Sequence, residues 1–326
     1  MARLEDGFSA SAVCRSSASQ GAVSLGLVGL GKIARDQHLP AIAQIADFDL
    51  TAIASRHAQL DDLPGFQSIE AMLASGHDID AVSLCTPPQG RYLQAEAAIA
   101  AGCHVMLEKP PGATISEVVR LHELARKAGV TLFATWHSRE AASVDAARDW
   151  LADKEVRSVR IDWREDIRVW HPGQDWILAA GGFGVFDPGI NALSIATAIL
   201  PEMLTVQAAS LDIPEGRDAP IAASLDMRHG QAPVVAEFDF LNEGSQQWDI
   251  TIVTDCGTVR LTDGGKTMRI DSGQPVEGRD EEYPRLYRRF ADLIRSGSCD
   301  VDLRPIRLVA DAFMVATTKR VASFDF

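Results

Sequence analysis

The sequence predicts an α/β chain with two differently built sheets. An N-terminal Rossmann domain with a parallel sheet is expected over residues 23–137, and an α+β domain with a large, mostly antiparallel open sheet over residues 138–326. Three observations carry this. Between Val23 and Phe133 short, near-continuously apolar runs alternate with helical patterns, as in a parallel sheet covered on both faces. The first of these runs ends in a glycine turn that opens a helix. Past residue 151 strands follow one another with little helix between them, and several alternate apolar with polar residues, as Val235-Ala236-Glu237-Phe238-Asp239-Phe240 does. A length of 326 residues also suits two domains better than one.

In chain order, parallel strands are expected at residues 23–30, 48–54, 81–85, 104–107 and 131–134, with helices at 32–46, 69–75, 89–101 and 116–128 between them. Ser116, just past the breaker Pro110-Pro111-Gly112, suits an N-cap. A helix at 141–151 leads into strands at 156–163, 204–213, 221–227, 234–240, 248–254, 258–261 and 268–270. One long helix, 185–200, interrupts these strands, and helices at 283–296 and 304–321 close the chain. Residues 1–22 are rich in Ser and Ala and lack the apolar stretch of a secretory signal, so they are expected to be a disordered extension or the product of an upstream start.

Composition excludes several functions. With 46% hydrophobic and 23% charged residues, both domains can bury a core. A formal net charge of -14 repels phosphate backbones and argues against nucleic acid as a partner. No apolar run approaches the roughly 20 residues of a membrane span. The five cysteines are scattered, without a CxxC pair, which argues against a disulfide framework and a structural zinc site. Reduced thiols in a cytoplasmic protein, with no metal, are the expectation.

The glycine turn is Gly29-Leu30-Gly31-Lys32-Ile33-Ala34, a G-x-G-x-x-A between strand and helix. Gly29 permits the tight turn and Gly31 lets backbone approach a pyrophosphate. Ala34 lets the helix pack closely, and the N–H groups around Lys32 and Ile33 face the anion. An acidic side chain about 20 residues on would bind the ribose 2′-hydroxyl of NAD. The second strand ends instead in Ser55-Arg56, which can donate hydrogen bonds and charge to a 2′-phosphate. NADP is therefore the expected cofactor, with NAD as a second.

Ligands of open α/β sheets bind at the carboxyl ends of the strands. There the third strand ends in Cys85-Thr86-Pro87-Pro88 and the fourth in Glu108-Lys109-Pro110-Pro111. Thr86, Pro87, Glu108 and Lys109 are accordingly assigned to the cofactor edge. Taken alone, Lys109 reads equally well as a surface charge. The same edge carries Gln89-Gly90-Arg91-Tyr92, for which the pattern suggests no role.

The G-x-G-x-x-A turn, the strand ending in Glu108-Lys109-Pro110 and an Asp followed four positions later by a polar residue resemble the glucose–fructose oxidoreductase/inositol dehydrogenase (Gfo/Idh/MocA) family from Val23 onward. Asp187-Pro188-Gly189-Ile190-Asn191, Ala134-Thr135-Trp136-His137 and Arg168-Val169-Trp170-His171-Pro172-Gly173 resemble its L-arabinose/D-galactose 1-dehydrogenase branch. The resemblance implies oxidation of an aldopyranose at C1 to the aldonolactone, with NADP preferred in some members. It also implies a homo-oligomer formed through the exposed face of the second sheet.

Oxidising a hemiacetal requires a base for the O1 proton while the C1 hydride departs. Asp187 and Asn191, spaced i, i+4, can point into one cleft. Asn191 does not titrate, so it orients the sugar, and Asp187 and Lys109 remain as candidate bases. Asp187 is assigned as the proton acceptor, with Lys109 hydrogen-bonding O1, although a coupled pair can share the role. A helix N-cap is the plain alternative for Asp187. His137, after the last parallel strand, is placed to meet the cofactor edge. By resemblance, Glu165, Trp170 and Trp248 join the substrate pocket, since aromatic faces and carboxylates match a sugar's C–H face and hydroxyl rim; each tryptophan is otherwise core. Two other functions share the fold: a polyol or inositol dehydrogenase, and a non-catalytic regulator that senses sugar and dinucleotide.

Overall fold

A computed structural model describes residues 21–326, and the expected extension lies, up to residue 20, outside the described residues. The first sheet has six parallel strands. β1 (Val23–Val28) leads into a helical run whose first part, Ala34–His38, is a π-turn and whose second is α1 (Leu39–Ile42). β2 (Phe48–Ala54), β3 (Gly65–Phe66), α2 (Ile69–Leu73), β4 (Ala81–Leu84), α3 (Arg91–Ala100), β5 (His104–Leu107), α4 (Ile115–Ala128) and β6 (Leu132–Ala134) follow. The spatial order is β3-β2-β1-β4-β5-β6, reversing direction at β1. That reversal opens the crevice at the carboxyl ends of β1 and β4.

α4 is capped two residues before the expected position. Thr114, not Ser116, is the N-cap, because its hydroxyl accepts from Glu117 N–H while Glu117 reaches back to the Thr114 N–H. This reciprocal pair satisfies two orphan donors at once, which Ser116 lacks the spacing to do.

α5 (Val144–Leu151) links to the second sheet. Its elements are β7 (Val156–Arg164), α6 (Ile167–Trp170), α7 (Phe186–Ile199), β8 (Leu204–Pro214), β9 (Ala222–His229), β10 (Ala232–Asp239), β11 (Gln247–Thr254), β12 (Gly257–Thr262), β13 (Thr267–Ile270) and β14 (Val276–Glu277). α8 (Glu282–Ser296), α9 (Arg304–Val315) and β15 (Ala316–Val321) complete the chain. The nine strands run in the order β14-β13-β12-β11-β7-β10-β9-β8-β15, antiparallel except for β7 against β10 and β8 against β15. The helix expected to reach residue 321 stops at Val315. Residues 316–321 instead pair in parallel with β8, where Thr317, Thr318 and Val321 suit an extended edge and the strand supplies the hydrogen bonds a helix would have made internally.

Although it comes late in the chain, α8 returns to the first sheet. Tyr283, Leu286, Tyr287 and Phe290 pack with Leu25, Phe48, Met106 and Phe133 in one apolar cluster. α7 is buried on nearly every side and lies across the second sheet. Gly189 allows this: a Cβ there would stand 2.7 Å from Phe238 Cδ1 on β10. Asp187, Asn191, Ser194 and Thr197 are the polar side chains of this otherwise apolar helix. Among the described residues no helix is long and apolar enough to cross a membrane.

Gly189→Val places branched carbon against a buried ring, and overpacking of this kind costs about 1–3 kcal/mol. A correspondingly lower urea midpoint is the expected outcome, and an unchanged midpoint would show that α7 does not lie this close to β10.

Candidate active site

The glycine turn meets the neighbouring strand end tightly. Gly29 has φ +89°, donates its N–H to Ala54 O at 2.8 Å, and a Cβ on it would stand 2.9 Å from Thr86 Cγ2. Gly31 has open space where a Cβ would point. A closed turn at the first glycine and open backbone at the second fit a pyrophosphate at the start of the helix, where N–H groups lack intrahelical acceptors. Lys32 is exposed and pairs with Asp36, one turn on, while Ile33 is partly buried in the apolar layer beside the turn. Ser55 continues from β2, its N–H bound to Phe66 O at 2.8 Å, and Arg56 beside it is exposed. Thr86 Oγ1 donates to Gln94 at 2.6 Å, and Pro87 is exposed next to it.

At the carboxyl end of β5 the two halves of the chain meet. Lys109 Nζ donates to Asp187 Oδ2 at 3.1 Å and to the Asp187 carbonyl at 3.0 Å. The side chains are 13% and 5% exposed, so the pair is desolvated without being sealed. Asp187 sits in the first turn of α7, where negative charge complements the helix dipole. Asn191, one turn on, is partly exposed on the same face.

Glu108, assigned to the cofactor edge, turns its carboxylate inward. Oε1 accepts from Tyr283 at 2.6 Å and from His38 Nε2 at 3.1 Å, and Oε2 accepts the Lys109 N–H at 2.7 Å. His38 Nδ1 contacts the Tyr287 hydroxyl at 2.8 Å, which donates to Ser83 at 3.2 Å. Burial alone would raise the Glu108 pKa, but the His38 hydrogen bond and charge outweigh it and hold the carboxyl far below its usual range. Burial opposes charge on His38 too, yet Cys85, Tyr287 and Glu108 together hold it well above its ordinary value. Burial, then the Glu108 charge, push the Tyr283 phenol up, so it stays a neutral donor. Arg91 is buried as well. Its guanidinium donates to the carbonyls of Thr86, Glu108 and Pro110, and burial lowers its pKa to about 10 against the pull of Glu108, Cys85 and Asp187.

The remaining predicted residues fall into two groups. Glu165, Trp170 and Trp248 do come together. Trp248 lies opposite Trp163 on the neighbouring strand and stacks on it at 6.0 Å, while Trp170 tilts over Trp248 at 4.8 Å. Glu165 is buried with both oxygens engaged, Oε2 by Trp248 Nε1 at 2.9 Å and Oε1 by His171 Nε2 at 3.0 Å. It therefore holds the aromatic wall in place. His137 stacks on Tyr283 and pairs with Glu282 at 2.6 Å, beside the Glu108 cluster.

Sequence reasoning missed His38, Tyr283, Tyr287, His171 and Arg91. A histidine within a helix directly before Leu39-Pro40 was one available signal. Arg91 lies on the strand edge already singled out, but no pattern announces that its acceptors are main-chain carbonyls on two different loops.

A glycine-turn crevice beside a desolvated lysine–aspartate pair is the arrangement of a nicotinamide-dinucleotide oxidoreductase. Residues 23–135 match the model of an oxidoreductase family with an NAD-binding Rossmann fold. Galactose 1-dehydrogenase of Pseudomonas fluorescens is 43% identical over 93% of this chain and 98% of its own length. The crystal structure of D-galactose-1-dehydrogenase from Rhizobium etli superposes with a TM-score of 0.89 at 53% identity, covering 94% of this chain and 98% of that one. A 3-ketoreductase from Actinomadura kijaniata, solved with NADP and TDP-benzene, shares the fold at 21% identity and a TM-score of 0.81, over 92% of this chain and all of that one. The chain belongs to the glucose–fructose oxidoreductase/inositol dehydrogenase family, in the branch that holds the galactose 1-dehydrogenases.

The Glu108–His38 pair has a definite pH window. The lowered Glu108 pKa contributes stability above its ordinary 4.5, lost as pH falls toward the depressed value. The raised His38 pKa contributes stability in full below its ordinary 6.5, lost as pH rises through the elevated value. Both contributions are present together between 4.5 and 6.5. Urea midpoints of the wild type and Glu108→Gln are expected to differ most in that window and to converge in acid. A difference that stays constant across the acid range would contradict the assignment.

Proposed function

We propose that the protein oxidises an aldopyranose, such as D-galactose, L-arabinose or a related sugar, at C1 to the aldonolactone, using NADP. The observation that carries this reading is the Lys109–Asp187 pair at the carboxyl end of β5, with Asn191 one turn further along the same helix face. The bound dinucleotide supplies the hydride acceptor. Residues 29–33, with Thr86 and Pro87, would hold it at the strand ends.

Asp187 takes the O1 proton, because a carboxylate at this desolvated position can accept while the neighbouring ammonium cannot. Lys109, donating to Asp187, can donate equally to O1 and stabilise the charge that develops there. The ion pair keeps the two groups in one geometry before the sugar arrives, which is where positioning contributes most. Asn191 orients the sugar, and Trp170 and Trp248 offer faces to its C–H surface, with Glu165 fixing Trp248. Ser55 and exposed Arg56, with no acid at the end of β2, favour a 2′-phosphate over a 2′-hydroxyl. The names of the two galactose 1-dehydrogenase relatives favour C1 chemistry over polyol oxidation. The paired proton-transfer groups favour an enzyme over a sensor, which needs no base beside the nicotinamide.

Absorbance of reduced nicotinamide, followed with NADP and a panel of sugars, tests the reading. Turnover is expected with free aldoses and not with their 1-O-methyl glycosides, whereas turnover restricted to inositols would refute it. Lys109→Ala and Asp187→Ala should each lower kcat by orders of magnitude with NADP affinity nearly intact; full activity in both would remove the pair from the mechanism. Ser55→Asp with Arg56→Ala should shift the KM ratio toward NAD, and an unchanged ratio would reject the 2′-phosphate assignment.

A further inference from the structure

We propose that Arg91 is a positioning residue for Lys109: its buried guanidinium ties the carboxyl ends of β4 and β5 together on both sides of the lysine and thereby sets where Nζ stands. This rests on the reading of Lys109 and Asp187 as the reacting pair. Gly90, with φ +81°, turns the chain at the start of α3 so that the Arg91 side chain runs back beneath the strand ends. Nε donates to Thr86 O at 3.0 Å and Nη2 donates to the same carbonyl, while Nη1 donates to Glu108 O and to Pro110 O. The last two acceptors flank Lys109. The Lys109 N–H is held in turn by Glu108 Oε2 at 2.7 Å. The main chain at 109 is thus held before, at and after the lysine, and only the side chain remains free to reach Asp187.

An arginine suits this task for a geometric reason. Its planar fork presents five N–H donors in fixed directions, so one side chain can serve carbonyls on two loops. A lysine offers donors around a single nitrogen, and a neutral imidazole offers one. Burying a full charge without a directly bound carboxylate is costly unless its donors are satisfied. The guanidinium here meets three main-chain carbonyls, with Glu108 and Asp187 close enough to interact through space.

Steady-state kinetics of the full chain with NADP and D-galactose test the proposal, comparing Arg91→Ala, Arg91→Lys and Lys109→Ala. For Arg91→Ala, kcat is expected to fall about 100-fold, the scale of a small misplacement of a reacting group. Millimolar guanidinium chloride should restore part of that activity. Arg91→Lys keeps the charge but not the fork, so its kcat should fall as well. The same guanidinium should not rescue Lys109→Ala. Wild-type kcat in both Arg91 variants would overturn the proposal, as would a loss in Arg91→Ala that does not respond to guanidinium. Should Arg91→Ala fail to fold, Arg91→Lys decides alone, with wild-type kcat overturning the proposal. An active Lys109→Ala would instead refute the reading of the reacting pair, so the two failures are distinguishable.

Discussion

A buried carboxylate governs the middle of this molecule. Glu108 lies out of water at the end of β5, and a charge so placed is tolerated only when hydrogen bonds and opposite charge compensate it. The partners come from distant parts of the chain: His38 from the helical run after β1, Tyr283 from α8, and the N–H of Lys109 itself. Satisfying one side chain therefore locks the start of the cofactor crevice, the late helix and the lysine-bearing loop to one another. α8 has to return to the first sheet for this to happen, and the apolar contacts of Leu286 and Phe290 with Leu25, Phe48 and Phe133 hold it there.

The second constraint is the approach of α7. A helix buried on nearly all sides has little reason to carry polar groups, and Asp187 and Asn191, one turn apart, mark the side on which it faces the Lys109 loop. Asp187 meets Lys109 on that side, and Gly189 is what lets the opposite side settle onto Phe238. The aromatic wall obeys the same logic. Trp248 sits against Trp163 because sheet register makes them direct neighbours, and Glu165 accepts its indole N–H, which orients the ring.

Much of the fold was legible in the sequence because hydrophobic period is a local property. The alternation of strands and helices from Val23 to Phe133 and the strand succession after residue 151 both follow from it. It misplaced features whose stabilisation is reciprocal or remote. Ser116 looked like a cap because caps are read one residue at a time, whereas Thr114 and Glu117 form theirs together. Residues 316–321 continued a helical pattern until the edge of β8 offered hydrogen bonds that no local window contains.

By itself the sequence determined the residue types and their places along the chain: a glycine turn after the first strand, a lysine at the end of β5, an aspartate and an asparagine one helical turn apart, and Ser55-Arg56 where an acid would otherwise stand. Only the tertiary structure decided that Lys109 and Asp187 touch, that Glu108 faces inward, that Glu165 serves Trp248 and that Arg91 clasps the loops around the lysine. The physical reason is common to all four. Buried charges and buried donors are satisfied by whatever the fold brings within about 3 Å, and the identity of that partner is written in no short stretch of chain.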